Sequence, residues 1–247
     1  MDKRSGSVAE TVGGYVASRE GMITSILDFY RSAVGKKAVM AATGIILFGY
    51  VLMHMLGNMK LYLGREPLNH YAEYLRVVGE PFFPYGTVLW IVRIILLLAV
   101  GLHILAAVEL TLMNQRARPL GYQEKQTVAA TYASRTMRWG GVIILLFIIY
   151  HLLDLTWGTL NPGFVPGDVY RNVLASFQVW PIASFYIIAQ LALGLHLYHG
   201  LWSLFQSLGW NHPRFNPWRR SFAIAFTWII TLGNISFPLA VLVGWVS

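Results

Sequence analysis

The sequence predicts an all-α integral membrane bundle of five transmembrane helices, four of them forming a cofactor-binding bundle, with a cytoplasmic N-terminus. Three observations predict it. Apolar residues make up 56% of the 247 residues and charged residues only 12%, about half the charged share of an ordinary soluble domain. The apolar residues gather in five stretches, each able to supply the ~20 residues that carry a helix across ~30 Å of hydrocarbon. The basic residues collect in alternate connections between those stretches. With 13 Phe, 13 Tyr and 9 Trp, the chain is not a disordered one, and the stretches are too long for transmembrane β-strands.

In chain order, Ala38–Met59 has no formal charge, and Phe82–Val108 is interrupted only by Arg93. Trp139–Leu153 continues past Asp154 to Trp157. Within charge-free Val173–Pro213, the part Ile182–Gln206 suits a span, and Ser221–Ser247 is also free of charge. The expected spans are therefore about 38–59, 84–108, 139–157, 182–206 and 221–245. Residues 1–37 form a cytoplasmic segment, and 38–247 form the membrane domain. The first 30 residues are polar and lack the apolar core of a signal peptide. Asn161-Pro162-Gly163 and Pro166-Gly167 mark a loop. Pro181 and Pro238 are candidate kinks.

Orientation follows from Lys and Arg. Segment 1–37 has six, 109–138 has five and 214–220 has three, together 14 of the 19. In the 60–81 connection Lys60, Arg65 and Arg76 are balanced by Glu66, Glu73 and Glu80, and 154–172 has only Arg171 against Asp154 and Asp168. The basic connections face the cytoplasm, so the C-terminus lies outside. The net charge of +8 thus reports topology, and no nucleic-acid partner is expected. Cys is absent. That excludes a disulfide framework and any self-contained zinc-finger or Cys-ligated iron–sulfur site. Histidine is left as the strong metal ligand.

Four helices place His within the membrane. Counted from span midpoints, His54 lies ~8 Å and His151 ~5 Å outside the midplane, His103 ~10 Å inside, His196 ~3 Å and His199 ~8 Å inside. The depths sort into an outer pair, His54 with His151, and an inner pair, His103 with His199 or His196. Intramembrane histidines are costly and mark function. Two neutral imidazoles from opposite helices are what low-spin haem iron needs, with the bundle interior holding the porphyrin. Gly140, three turns before His151, and Gly44, Gly101, Gly194 and Gly200 are candidates for close approach to a haem plane, or for helix packing alone. Arg93, the one cation inside a span, is either a propionate partner or a side chain reaching the outer headgroups. Arg135 and Arg138 are either propionate partners or topology signals. His70, with Glu73 and Tyr71, is expected in an outer loop.

Several stretches carry a resemblance. They are Ser32-Ala-Val-Gly-Lys-Lys37, Met40-Ala-Ala-Thr-Gly44, His54-Met-Leu-Gly-Asn58, Leu68-Asn-His-Tyr-Ala72, His103 and Asn114-Gln-Arg-Ala-Arg-Pro119. Ser134-Arg-Thr-Met-Arg138, His151, His196-Leu-Tyr-His-Gly200, Trp202-Ser203 and Gln206-Ser-Leu-Gly-Trp210 follow. In this order the chain resembles, from about Ser32 to Pro213, the cytochrome b membrane-anchor subunit of succinate dehydrogenase and fumarate reductase, in its single-chain, five-helix, two-haem group. The resemblance implies two b-type haems (heme b), the distal one held by His54 and His151 and the proximal one by His103 and His199. It also implies an anchor that does not bind succinate itself. A flavoprotein subunit with FAD and an iron–sulfur subunit are its partners, and menaquinone or ubiquinone is the electron acceptor in a bacterial plasma membrane. The two layers are ~15 Å apart in depth. Some fumarate-reducing relatives carry a glutamate two residues before the ligand matched by His199, where this chain has Leu197; this tilts the reading toward succinate oxidation. A proximal quinone site would involve Ser32, Lys36, Arg138 and Trp139, and a distal one His70, Glu73 and Tyr62.

Two other readings compete. One keeps the complex but replaces haem with a Rieske-like [2Fe-2S] centre held by histidines such as His196 and His199, with thiolates from a partner. The other is a free-standing transmembrane cytochrome or a transporter. Many such cytochromes carry two ligands on one helix, whereas three helices here have one clearly placed His each. A transporter is expected to show internal repeats, and none is evident. Higher oligomers are left open.

Overall fold

The structure, a computed structural model, describes residues 24–25, 27–117, 130–210 and 212–247, and of 130–136 only the backbone. Ser32 opens the first long helix, α1 (Ala33–Asn58), its hydroxyl accepting from the Gly35 N–H at 3.0 Å. This satisfies one of the donors that a helix start leaves free. A 3₁₀ turn, Met59–Leu63, ends at Gly64 with φ +98°, a conformation that glycine adopts without steric cost. The short α2 (Arg65–Val77) follows, then α3 (Thr87–Arg116) and α4 (Ala130–His151). A π turn, Leu152–Thr156, extends α4. Asp168 caps α5 (Val169–Phe177), and α6 (Trp180–Ser207) and α7 (Asn216–Leu242) complete the chain.

Five helices are long and apolar enough to cross a membrane, at Ala33–Leu63, Thr87–Arg116, Met137–Thr156, Trp180–Ser207 and Asn216–Leu242. No strand occurs among the described residues. The all-α, five-helix expectation holds, with three local corrections. The 60–81 connection is largely helical, so His70 and Glu73 sit on α2 and not in a loop. Pro181 lies in the first turn of α6, where its missing N–H costs nothing, and does not mark a kink. The second span begins at Thr87 and runs to Arg116, later at both ends than expected. By charge, the inner, cytoplasmic end is the one that carries Lys36 and Arg138, and the outer end carries α2 and α5.

Helix α1 packs on α3, α6 on α4 and α7, and α1 and α6 on each other. Among the described residues α3 and α4 make at most marginal contact. The four helices α3, α1, α6 and α4 thus form an open quadrilateral, with α1 facing α4 and α3 facing α6 across its diagonals. Helix α7 lies behind α6 and α1. A Cβ on Gly194 would strike Thr231, and one on Gly233 would strike Met55, so small residues set the close approach of α7.

Each end of the bundle is tied by a polar cluster. At the inner end Lys36, 8% exposed, donates to Glu109 Oε2 at 2.8 Å, and Tyr30 donates to the same oxygen at 2.8 Å. This joins the start of α1 to α3. At the outer end Asp168 accepts from Asn69 at 2.8 Å, from Arg65 and from the Arg171 N–H at 3.2 Å. Asn69 accepts in turn from the Tyr170 N–H at 3.0 Å. These bonds clasp α2 to α5.

The Asn69 hydrogen bond first, then the Arg171 N–H and Arg65, hold the Asp168 carboxyl below the usual carboxylate range. A depressed folded pKa contributes stability above the unfolded value of about 4 and loses it as pH falls through the folded value. The melting temperature of the wild type should therefore drop between pH 5 and pH 3 by more than that of Asp168→Asn. Parallel melting curves for the two would contradict this role.

Candidate functional site

The diagonals of the quadrilateral are where the histidines meet. His54 on α1 and His151 at the end of α4 have ring centroids 5.8 Å apart and planes at 90°. His103 on α3 and His196 on α6 have centroids 6.4 Å apart and planes at 61°. All four are half-buried. The outer pair joins the two helices expected. The inner pair joins the expected helices too, but the ring beside His103 is that of His196, one turn before His199. The reason lies in the helix ends. Because α3 runs to Arg116, His103 sits only ~2 Å past its midpoint, level with His196, which is ~4 Å past the midpoint of α6.

The histidine tautomers follow from their neighbours. Thr43 donates its hydroxyl proton to the Val39 carbonyl at 2.8 Å and lies 3.1 Å from His103 Nδ1. The threonine oxygen is left as an acceptor, so His103 carries its proton on Nδ1 and its lone pair on Nε2. Tyr186 donates to Asp154 Oδ2 at 2.7 Å and lies 3.4 Å from His151 Nδ1. The same accounting puts the His151 lone pair on Nε2. Each pair therefore has one ring oriented by a hydroxyl, the usual support for a metal-binding imidazole. Tyr50 stacks on His54 at 5.3 Å. His196 Nδ1 is buried with no hydrogen-bond partner among the described residues.

Two imidazoles bonded at about 2 Å to opposite sides of one metal ion hold their centroids roughly 6 Å apart. Two on adjacent positions of one ion would bring them to roughly 4.5–5 Å. Both couples, at 5.8 and 6.4 Å, leave room for one ion between two ring nitrogens. Among the described residues no group of three or more His, Asp or Glu converges as a protein-only metal site. A two-histidine pair suits an ion whose other ligands come with the cofactor, as in haem. Two glycines lie beside the inner couple. A Cβ on Gly44 would lie 3.6 Å from His103, one on Gly141 would lie 4.0 Å from His196, and Gly140, Gly101 and Gly200 adjoin open space. Gly194 serves the α6–α7 contact instead.

The remaining candidates are dispersed. The Arg93 guanidinium lies 4.9 Å over the Trp90 ring. Arg138 and Trp139 are exposed at the inner part of α4. The Arg135 side chain lies outside the described residues. Ser32 is used as the α1 cap and Lys36 as the partner of Glu109. On α2, His70 is exposed, and Glu73 accepts from Tyr85 at 3.0 Å. Tyr62 donates to Ser236 at 2.6 Å. Among these candidates, Ser32 and Lys36 share the inner end of α1 and His70 and Glu73 share α2. Thr43 and Tyr186, which orient the rings, were not singled out from the sequence. Their signal is a hydroxyl in the middle of an apolar span, and nothing local says which histidine it will meet.

Fold and site together define a multi-pass α-helical membrane protein with paired intramembrane histidines. Residues 114–235 match the model of a family described as the succinate dehydrogenase/fumarate reductase transmembrane subunit. That stretch, just under half of the chain, contains His151, His196 and His199 and reaches into α7; His54 and His103 precede it. Over these residues the chain is similar to a membrane subunit of succinate dehydrogenase or fumarate reductase. Comparison with curated proteins and with solved structures gives no match.

Proposed function

We propose that the chain is the membrane-anchor and electron-transfer subunit of a succinate:quinone oxidoreductase, respiratory complex II, and carries two b-type haems. The observation that carries this reading is the pair of histidine couples across the bundle diagonals, at two depths, each with a ring whose Nδ1 faces a hydroxyl and whose Nε2 is left free to ligate. The family match over 114–235 supports the complex. The outer couple is His54 with His151, and the inner couple is His103 with His196.

Haem, when bound, supplies one-electron redox chemistry between the partner's iron–sulfur clusters and the quinone. The chain's own residues do the positioning. Thr43 and Tyr186 fix the Nδ1–H tautomers, and the apolar helices exclude water from the couples. Arg93 on the outer half and Arg138 at the inner end are the cations available to haem propionates. Quinone meets the chain at one end or the other. The inner candidates Ser32, Lys36 and Trp139 border the surface where an iron–sulfur subunit docks, and His70 and Glu73 mark the outer one. The iron–sulfur and flavoprotein subunits bind on the cytoplasmic side of a bacterial plasma membrane. A Rieske-like cluster is the weaker reading, because the chain has no Cys and both thiolates would have to come from a partner.

Purification of the tagged chain from membranes tests the proposal. It should bring down a flavoprotein and an iron–sulfur subunit with succinate-dependent quinone reduction. A chain that purifies alone from intact membranes contradicts the assignment.

A further inference from the structure

Asp154 is the most deeply buried carboxylate among the described residues, at 0% exposure. It lies three residues after His151 in the π turn, where the Trp157 N–H reaches back to the Leu152 carbonyl at 2.9 Å. Such widened turns concentrate at functional sites. Its Oδ2 takes two hydrogen bonds, from Tyr186 at 2.7 Å and from Ser176 at 2.6 Å, and Oδ1 takes none from the described residues. Three elements converge here: the π turn, α5 through Ser176 and α6 through Tyr186. Tyr186 is 4% exposed, with its ring edge-on to Phe147, Phe177 and His151. A buried carboxylate without a cationic partner among the described residues is expensive, and one hydroxyl, that of Tyr186, separates it from the outer imidazole couple.

We propose that Asp154 and Tyr186 form a positioning relay that polarises His151, and so shifts the reduction equilibrium of the outer centre without affecting the inner one. The inference rests on the two-haem reading above. Because the Tyr186 proton is committed to Asp154, the tyrosine oxygen faces His151 Nδ1–H as an acceptor backed by a carboxylate. The acceptor facing His103 is Thr43, backed by the neutral Val39 and Met40 carbonyls. An imidazole that donates to the stronger acceptor is the more basic ligand and favours the oxidised iron. Ser176 holds the carboxylate from the α5 side, which links the outer cap helix to the same relay.

The test uses the purified wild-type complex, Tyr186→Phe and Asp154→Asn, each titrated optically against potential. The transition missing from His54→Ala identifies the outer centre. Tyr186→Phe should make the outer centre about tenfold easier to reduce, an upward move of about 60 mV for one electron, with the inner transition unmoved. Asp154→Asn, which preserves shape, should move it in the same direction, and decides the matter if Tyr186→Phe does not assemble. Selective loss of the outer absorption in both variants shows a purely structural role and overturns the relay. Transitions that stay put, or centres affected alike, overturn the relay and leave the two-haem reading standing. A wild-type complex without a haem spectrum overturns both.

Discussion

His196→Ala removes the inner haem and retains the outer one, whereas His199→Ala retains both. This is the sharpest expected result, because the two histidines share one helix face a turn apart and only one of them meets His103. The His103–His196 centroids are 6.4 Å apart, close to the roughly 6 Å of two imidazoles on one ion. Moving the ligand role to His199 would carry the site about 4.5 Å along α6. It would also move it away from the Thr43 hydroxyl that fixes the His103 tautomer from α1. His103→Ala should match His196→Ala in losing half of the bound haem. His54→Ala and His151→Ala should each lose the other half. Haem content per chain and the difference spectrum of each purified variant read this directly. A His199→Ala complex lacking the inner haem, with His196→Ala intact, would return the ligand role to His199.

Arg219→Leu is expected to be the most damaging change away from the histidines. Arg219 is 1% exposed, donates to the Trp210 carbonyl at 2.5 Å and to the Asn216 side chain, and lies 4.8 Å over the Trp202 ring. It locks the inner end of α6 to the start of α7 across the connection between them. Hydrogen bonds from a charged group contribute about 1.5–3 kcal/mol each, and a buried carbonyl left without its donor adds to the loss. A destabilisation of about 3–5 kcal/mol follows, visible as a clear fall in the melting temperature of the detergent-solubilised complex. Arg219→Lys should rescue little, since an ammonium cannot reproduce a planar fork that also stacks on an indole. An Arg219→Leu complex that melts with the wild type would show that the clasp is dispensable.

The fold was legible in the sequence because a membrane span is a composition signal. Ala38–Met59 or Ser221–Ser247 needs no knowledge of its neighbours to be read as a helix. The connections were less legible. Residues 65–77 carry Arg65, Glu66, Glu73 and Arg76, which look like a solvated loop. The clasp that makes them a docked helix comes from Asp168, about a hundred residues away in the chain. The histidines were legible as pairs because alternating helix direction fixes which depths coincide. The depths left both His196 and His199 as partners for His103, because hydropathy ended the second span at 108, whereas α3 continues through Glu109 to Arg116. Glu109 can be inside a helix there because Lys36 and Tyr30 meet it, a tertiary fact. The relay behind His151 was hidden for the same reason. Asp154 read as a residue near a helix end, and its partners Ser176 and Tyr186 come from two other elements.

The central claim is that this chain holds two haems between opposed histidines. The measurement that tests it most directly is the haem content and reduced-minus-oxidised spectrum of the wild-type complex, purified with its flavoprotein and iron–sulfur partners. Two haems per copy of this chain, with b-type Soret and α bands, is the predicted result. A pure, active complex with no haem absorption would contradict it.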